Sequence, residues 1–271
     1  MINSVENCTN TLQEEKNNKE LRLNICHLYP DLMNMYGDLG NIIALKYRAQ
    51  LNNISVNVEN ITIGENFDAS RYDIVFLGGG QDFEQDIIYK DIIEQKGNEI
   101  KNAVNENLVF LCICGGYQLM GNYYETYDKK EIPGLGIIDF YTKAEDKRLI
   151  GNIVFEASFL CENKLNSMVV GFENHSGRTY LGKNIKPFGK VIFGFGNNAS
   201  DKTEGAIFKN VYCSYSHGSL LPKNYRITDH LLNLAIKRKY NESIEFDTYD
   251  TSFEENARLS MIKRLNIKYQ D

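Results

Sequence analysis

The stretches YDIVFLGGG at 72–80 and LVFLCICGG at 108–116 constrain the fold more than any other part of the sequence. Each is a short apolar run that ends in glycines, the pattern of a buried parallel strand that delivers its C-terminal loop. A polar segment reaching to about residue 106 lies between them and predicts a helix. Such alternation is typical of right-handed crossover units, in which helices cover both faces of a parallel sheet.

The rest of the chain extends this pattern. LRLNICHL at 21–28 and ISVNVENITI at 54–63 predict two further strands, with a helix over 38–53 between them. From Gly134 to about Ser216 the sequence is rich in β-type segments, and periodic segments at 228–239 and 252–265 predict two closing helices. We therefore expect an α/β fold with a mostly parallel central sheet flanked by helices, followed by a β-rich second half.

The domain organisation follows from composition along the chain. Residues 1–20 are polar and predict a flexible leader. Residues 21–245 predict one domain, because no linker rich in Pro, Ser or Gly divides its halves. Residues 246–271 are interpreted as a helical extension.

Charge and hydropathy exclude several classes of protein. The formal net charge is −6 and no dense run of Lys and Arg occurs, which argues against nucleic acid as a partner. No apolar run approaches the roughly 20 residues that a transmembrane helix needs, and the N-terminus lacks the apolar core of a signal peptide. We expect a cytoplasmic protein without a transmembrane segment.

The six cysteines do not have the spacing of a disulfide framework. Cys112 and Cys114 are close enough to suggest a metal site, but no second closely spaced pair of ligands accompanies them. We therefore predict no bound metal and a buried packing role for Cys112.

Cys114 ends a predicted strand and is followed by two glycines and a helix-like segment. A thiol at such a strand-turn-helix elbow meets the N-terminus of the helix, where unpaired N–H groups favour thiolate. The N–H of Gly115 could then bind an oxyanion, together with N–H groups of Gly79 and Gly80. The local pattern alone leaves open the alternative that Cys114 is a buried structural cysteine.

A nucleophilic thiol needs a base, and the sequence offers His27, His175, His217 and His230. His217, in VYCSYSHGS, ends a predicted strand just before a glycine and should reach the same edge of the sheet as Cys114. His230 falls inside a predicted helix and His27 in or just after the first strand, where structural roles are favoured.

Several motifs together resemble a known family. Three segments resemble the cobyric-acid-synthase-type branch of the class I, or triad, glutamine amidotransferases. They are CGGYQ at 114–118, GFENHSGRTY at 171–180 and YSHGSLLPKN at 215–224. With four further motifs, the chain resembles the glutamine amidotransferase subunits of lipid II isoglutaminyl synthases. These motifs are YGDLGN at 36–41, GGGQDFEQ at 78–85, GLGIIDFYT at 134–142 and RLIGNIV at 148–154. The ordered match covers residues 21–240 and implies a flavodoxin-like class I fold.

This resemblance implies roles for individual residues. Cys114 matches the nucleophile that attacks the side-chain amide of glutamine, and His217 matches the general base and acid. Gln118 matches a glutamine that helps to shape the substrate site. Arg148 matches an arginine that contacts the α-carboxylate of glutamine, a role suited to its bidentate fork; without the resemblance it would be interpreted as a solvated surface residue.

The third member of the triad departs from the general class. Most class I amidotransferases have a glutamate two residues after the histidine, whereas His217 is followed by Gly218 and Ser219. Asp38 resembles the acidic residue proposed for this role in the subunit family. An aspartate before a helix is also a good N-cap, and both interpretations stay open.

The Glu173, Asn174 and His175 segment resembles a family signature in the wall of the site, without an assignable role.

The resemblance also implies partners. Ammonia would pass to a Mur-ligase-like synthetase subunit of a heterodimer, which uses ATP and Mg²⁺ to amidate the D-glutamate α-carboxyl of lipid II. This chain would need no cofactor for glutamine hydrolysis, and it contains no GxxxxGK[ST] phosphate loop. Two alternatives are amidation of another acceptor, such as a corrin precursor, and a single-chain cysteine hydrolase. A non-catalytic binding module is disfavoured because both Cys114 and His217 are present.

Overall fold

The computed structural model describes residues 20–80, 87–161, 163–246 and 251–268. The predicted leader lies outside the described residues except for Glu20, and so do residues 81–85 of the GGGQDFEQ motif. The predicted extension is described only in part, because residues 247–250 and 269–271 also lie outside these ranges.

Strands and helices alternate in the first half of the described ranges, and strands predominate in the second. The strands, in chain order, are β1 (Leu21–Leu28), β2 (Ile54–Ile61), β3 (Ile74–Leu77), β4 (Val109–Ile113), β5 (Tyr123–Glu125), β6 (Glu131–Pro133), β7 (Phe140–Glu156), β8 (Met168–Leu181), β9 (Gly189–Phe193), β10 (Thr203–Glu204), β11 (Ala206–Phe208), β12 (Val211–Ser214) and β13 (Ser216–His217). The α-helices are α1 (Leu39–Leu51), α2 (Gly97–Asn105), α3 (Gly115–Leu119), α4 (Lys164–Ser167), α5 (Tyr225–Tyr240) and α6 (Ser252–Arg264).

A parallel sheet forms the centre of the fold. Its strand order is β11-β12-β4-β3-β1-β2, and all neighbours are parallel except the antiparallel pair of β11 and β12. The order β2-β1-β3-β4-β12 is that of flavodoxin-like sheets, whose ligands bind at the carboxyl ends of the strands where the order reverses. Every residue of β3 and β4 is buried, as their continuous apolar sequences predict. The prediction of a mostly parallel sheet with helices is confirmed.

A second sheet, which sequence reasoning did not predict, accounts for most of the β-rich second half. Its strand order is β10-β9-β7-β5-β6, with β8 paired to β7 and β13 paired to β8. The long strands β7 and β8 form an antiparallel pair with a register shift between Ala144 and Leu149. Of the strands described in the second half, β11 and β12 join the parallel sheet. Strand character could be predicted locally, but pairing partners are set by tertiary contacts.

The helices follow the predicted pattern with shifted ends. The predicted helix over 38–53 is α1, and the segment predicted over 228–239 is the longer α5. These two helices pack together, and Arg48 of α1 donates two hydrogen bonds to the carboxylate of Asp229 on α5, at 2.5 and 2.9 Å. Within the described ranges no helix is long and apolar enough to cross a membrane.

A buried ion pair joins Asp91 and Lys96, which precede α2. The ammonium group of Lys96, whose side chain is 1% exposed, contacts Oδ2 of Asp91. The hydroxyl of Tyr29, just after β1, donates to the same oxygen at 2.7 Å. The N–H of Gly64, beyond β2, donates to Oδ1 at 3.0 Å. Asp91 therefore joins three connections at the carboxyl edge of the parallel sheet.

We predict that Lys96→Met destabilises the protein by about 3 kcal/mol, because it leaves the buried Asp91 carboxylate without its cation. The measurement is the free energy of unfolding from urea titrations. Lys129→Met is the matched control, since the Lys129 side chain is 74% exposed and its pair with Glu125 should contribute nothing measurable. Equal stability of the two variants would contradict the prediction.

Candidate active site

Cys114 lies between the end of β4 and the start of α3, with φ 49° and ψ −102°. A non-glycine residue rarely adopts this conformation, which costs on the order of 1–3 kcal/mol and persists only where the surroundings enforce it. The N–H of Cys114 donates to the carbonyl of Ser214 at 2.8 Å, and the N–H of Gly116 donates to the carbonyl of Gly78 at 3.1 Å. The predicted strand-turn-helix elbow is confirmed.

Gly116 is required by close packing beneath the elbow. A Cβ atom at this position would lie 2.5 Å from the carbonyl oxygen of Leu77 and 2.9 Å from that of Gly78. Since the first helical turn presses on the end of β3, a side chain cannot fit there. Cys112, two residues earlier than Cys114, is fully buried within β4, in agreement with its predicted packing role.

His217 and Asp38 meet beside Cys114, although they come from opposite ends of the sequence. Both are completely buried, and Nδ1 of His217 lies 3.7 Å from Oδ1 of Asp38. Asp38 precedes α1 but its side chain does not cap the helix. Instead Oδ1 of Asn34 accepts the hydrogen bond of the Leu39 N–H, at 2.7 Å. The carboxylate of Asp38 is therefore directed to the histidine, and the N-cap interpretation of this side chain is wrong.

The protonated form of His217 is stabilised by its neighbours. Burial alone lowers the pKa of His217, but the negative charge of Cys114 and the nearby carboxylate of Asp38 raise it to about 10. His217 is therefore protonated near neutral pH, in a site from which water is largely excluded. The ring of Tyr36 lies edge-on to His217 with centroids 4.9 Å apart.

Gly79 has a different position from the one predicted. Its N–H donates to Oδ2 of Asp38 at 2.7 Å, so this donor is engaged with the carboxylate and the predicted contact with an oxyanion is not supported. A Cβ atom on Gly79 would lie 2.7 Å from Cε1 of His217 and 3.4 Å from Cβ of Cys114. Gly79 therefore lies among all three side chains. The buried Gly80 follows it, and its role, like that of Gly115, stays a prediction.

Gln118 lies one helical turn beyond Cys114, and its side chain is buried. Its Nε2 donates to the hydroxyl of Tyr215 at 3.2 Å, and that hydroxyl is 2.7 Å from Oγ1 of Thr179. These bonds anchor Gln118 in a polar network beneath the elbow. Its part in substrate binding stays a prediction.

Arg148 is exposed on β7 but is connected to the site. Its Nε and Nη2 donate to the side-chain and main-chain oxygens of Asn174 at 2.8 and 2.9 Å. Nδ2 of Asn174 donates in turn to the hydroxyl of Tyr36, whose ring packs edge-on against His217. Sequence reasoning missed Tyr36, which stands in the YGDLGN motif but carries no pattern that marks a contact with the histidine.

The GFENHSGR segment lies in β8, where Glu173 and His175 are buried. Glu173 accepts the N–H groups of Phe195 and Gly196 at 2.7 and 2.9 Å, and burial raises its pKa to about 7. Burial lowers the pKa of His175 to about 3, and its Nδ1–H donates to the carbonyl of Gly177 at 2.7 Å. These residues therefore support the wall of the site as neutral or internally paired groups.

The two other histidines do not reach the site. Burial lowers the pKa of both His27 and His230 to about 4. His27 packs against Phe76, and Nε2 of His230 is hydrogen-bonded to the hydroxyl of Tyr212 at 2.6 Å. Among the residues that the structure describes, no group of three or more His, Cys, Asp or Glu side chains is arranged to hold a metal ion.

The strained cysteine lies at a strand-turn-helix elbow of a parallel α/β sheet, beside a buried histidine and aspartate. This arrangement is typical of α/β enzymes that act through a thiol. Residues 24–225 match the CobB/CobQ-like glutamine amidotransferase domain. The chain belongs to this family of glutamine amidotransferases. The family resemblance that the sequence motifs indicate is thereby confirmed.

Similar proteins include two bacterial enzyme subunits. The chain is 44% identical to the lipid II isoglutaminyl synthase (glutamine-hydrolyzing) subunit GatD of Staphylococcus aureus (strain N315), over 90% of this chain and 96% of that protein. It is 42% identical to the GatD subunit of Streptococcus pneumoniae (strain ATCC BAA-255 / R6), over 89% of this chain and 90% of that protein. A probable cobyric acid synthase of Methanothermobacter thermautotrophicus is 31% identical, over 76% of this chain but only 41% of that protein.

We predict that Gly79→Ala lowers the rate of ammonia release from glutamine about 100-fold, because the new methyl group displaces the buried ring of His217. Gly151→Ala is the matched control, since a Cβ atom there meets no atom within 4 Å. Ammonia release and thermal unfolding are measured for both variants. A Gly79→Ala protein with the control's activity would contradict this packing of the three side chains.

Proposed function

We propose that this chain hydrolyses L-glutamine through a thioester on Cys114 and supplies the ammonia to a partner that amidates lipid II. The contact of the buried His217 with Asp38, beside the elbow cysteine, carries the proposal. A histidine whose pKa is raised by a cysteine and an aspartate is suited to hold a proton until a leaving group needs it.

In the first half-reaction the thiolate of Cys114 attacks the side-chain carbonyl carbon of glutamine. The carbonyl oxygen becomes an oxyanion, which the N–H of Gly115 at the start of α3 stabilises. The tetrahedral intermediate then collapses as the C–N bond breaks. His217 gives its proton to the departing nitrogen, which leaves as ammonia, and a glutamyl thioester remains on Cys114.

In the second half-reaction the neutral His217 takes a proton from water, whose oxygen attacks the thioester. The C–S bond breaks, glutamate leaves, and the thiolate of Cys114 is restored beside a protonated histidine. Asp38 holds the ring of His217 in place and stabilises its positive charge in both steps. No redox step occurs, and the proposal assigns no metal or nucleotide to this chain.

The substrate is held through its amino-acid end by Arg148. A guanidinium offers a planar fork of donors that matches a carboxylate, so Arg148 is assigned to the α-carboxylate of glutamine. Its contacts with Asn174, which reaches Tyr36 over the ring of His217, support this assignment. Gln118, which lies beneath the elbow, is assigned to shaping the substrate site.

The partner is proposed to be a Mur-ligase-like synthetase subunit in a heterodimer. It would use ATP and Mg²⁺ to activate the D-glutamate α-carboxyl of lipid II, which the ammonia then attacks. Two relatives named as subunits of lipid II isoglutaminyl synthase support this, because the match covers at least 90% of each of them. A probable cobyric acid synthase is also similar, but the match covers only 41% of that protein. Amidation of a corrin precursor is therefore the second candidate.

The nucleophile is tested by comparing Cys114→Ala with Cys112→Ala. Cys114→Ala should lower ammonia release from glutamine by at least about 1,000-fold, because no thiolate remains to attack the amide. Cys112→Ala, two residues earlier in the same strand, should keep most of the activity. The measurement is ammonia release, with the thioester trapped as a mass increase on the Cys114 peptide. Activity that survives Cys114→Ala would contradict the assignment.

The partner is tested with the same two variants. A Mur-ligase-like protein encoded near this chain should co-purify with it and amidate lipid II from glutamine only when Cys114 is present. With ammonium chloride in place of glutamine, the Cys114→Ala complex should regain activity. Glutamine hydrolysis without any such association would instead favour the single-chain hydrolase.

We predict that Arg148→Met raises the KM for glutamine about 30-fold with little change in kcat, since a charge-assisted contact with the α-carboxylate is lost. The wild type should show a similarly raised KM for 4-aminobutanamide, which is glutamine without its α-carboxylate. The variant should have about the same KM for both amides. Arg71→Met is the control, because Arg71 pairs with Glu59 on another edge of the sheet. A variant that still prefers glutamine would contradict the assignment.

A further inference from the structure

Asp38 and His217 are each attached to a turn with unusual backbone angles. Residues 36–37, just before Asp38, have φ values of 54° and 77°. Residues 218–219, just after His217, have φ values of 70° and 48°. Left-handed conformations at non-glycine residues are sparsely populated and persist only where contacts enforce them. Both turns therefore need a contact that holds them.

A side-chain hydrogen bond joins the two turns directly. Oγ of Ser219 donates to the carbonyl of Gly37 at 2.5 Å. The backbones also approach closely, because a Cβ atom on Gly40, in the first turn of α1, would lie 2.2 Å from the same Oγ. The hydroxyl of Ser219 therefore lies between the loop that carries His217 and the segment that carries Asp38, and it contacts both.

Two flanking hydrogen bonds fix the same loop. The N–H of Leu221 donates to Oδ1 of Asn41 on α1 at 2.9 Å. The ammonium group of Lys223 donates to the carbonyl of Gly218 at 2.5 Å. These bonds hold the loop on either side of Ser219, but neither reaches Gly37. Ser219 Oγ therefore provides the hydrogen bond that links the His217 loop to the turn before Asp38.

We propose that Ser219 is a positioning residue, whose hydroxyl aligns the Asp38 turn with the His217 loop and so sets the contact between carboxylate and imidazole. The proposal rests on the proposed glutaminase activity, in which Asp38 supports His217. Ser219 does not touch the reacting atoms. It acts because the two side chains come from opposite ends of the chain and lie 3.7 Å apart, a distance at which small shifts change their interaction.

The first test removes the hydroxyl in two ways. Ser219→Ala keeps the Cβ atom, and Ser219→Gly also removes any strain from the positive φ. Both should lower kcat for glutamine hydrolysis about tenfold and leave KM within about twofold. Ser167→Ala is the matched control, because Ser167 Oγ also donates to a backbone carbonyl, that of Lys164 at 2.9 Å, but away from the site. It should keep wild-type kinetics.

The second test asks whether Ser219 acts through Asp38. In a double-mutant cycle, Ser219→Ala should lower kcat about tenfold in the wild type and less than twofold in an Asp38→Asn background. An independent structural role would instead give the same tenfold loss in both backgrounds. This cycle distinguishes positioning from a general loss of stability, which the melting temperatures of the four proteins also monitor.

The third readout is the pH profile of kcat/KM. The ionisable groups that face His217 are Cys114, Asp38, Tyr36 and the neutral His175 of β8. Because Asp38 raises the pKa of His217, a weakened contact lowers that pKa, and the imidazolium needed by the leaving group is lost at lower pH. The alkaline limb of the Ser219→Ala profile should therefore shift down by about half a unit or more, in the same direction as that of Asp38→Asn.

The outcomes separate this inference from the proposed function. If wild type and Cys114→Ala release equally little ammonia, the proposed function fails, and the alkylation rate of Cys114 at pH 7 then replaces kcat in the cycle. If the wild type hydrolyses glutamine and Ser219→Ala keeps its kcat and its alkaline limb, the positioning role is overturned. Additive losses in the cycle overturn it as well.

Discussion

The left-handed conformation of Cys114 is the constraint on which the rest of the site depends. It places the sulfur at the edge of the parallel sheet, where a regular strand would have turned the side chain into the core. The carbonyls of Ser214 and Gly78, at the ends of the two flanking strands, accept the N–H groups that hold the turn. The position of the nucleophile is therefore set by the sheet itself, and the other groups must be brought to it.

Burial makes the three ionisable groups depend on one another. Two charges about 4 Å apart attract by about 1 kcal/mol in water but by about 4 kcal/mol near a protein surface, and a buried charge without its partner is costly. The raised pKa of His217 reflects this mutual support from Cys114 and Asp38. The N–H of Gly79 has the same purpose, because it satisfies an oxygen of the Asp38 carboxylate that water cannot reach. This explains why an N–H predicted to serve the substrate serves the aspartate instead.

The sequence allowed the parallel sheet, the elbow and the meeting of Cys114 with His217 to be predicted, because each depends on local signals: apolar runs, glycines and the convergence of strand ends. Tyr36 and Ser219 could not be predicted in this way. Their positive φ values carry no residue signature, since neither is a glycine, and their contacts join parts of the chain about 180 residues apart. The second sheet escaped prediction for a related reason. Strand periodicity indicates which face is buried, but not which strand is the neighbour.

The second sheet is nevertheless what holds the histidine. His217 lies in the two-residue strand β13, which pairs with Phe172 and Glu173 of β8. Gly171 permits this pairing, since a Cβ atom there would lie 1.6 Å from Oγ of Ser216. Cys114 and Asp38 follow strands of the parallel sheet, whereas His217 is fixed by its antiparallel pairing with β8 in the second sheet. The distance between His217 and Asp38 therefore depends on how the two sheets are aligned. The hydrogen bond of Ser219 to Gly37 joins the same two parts of the fold.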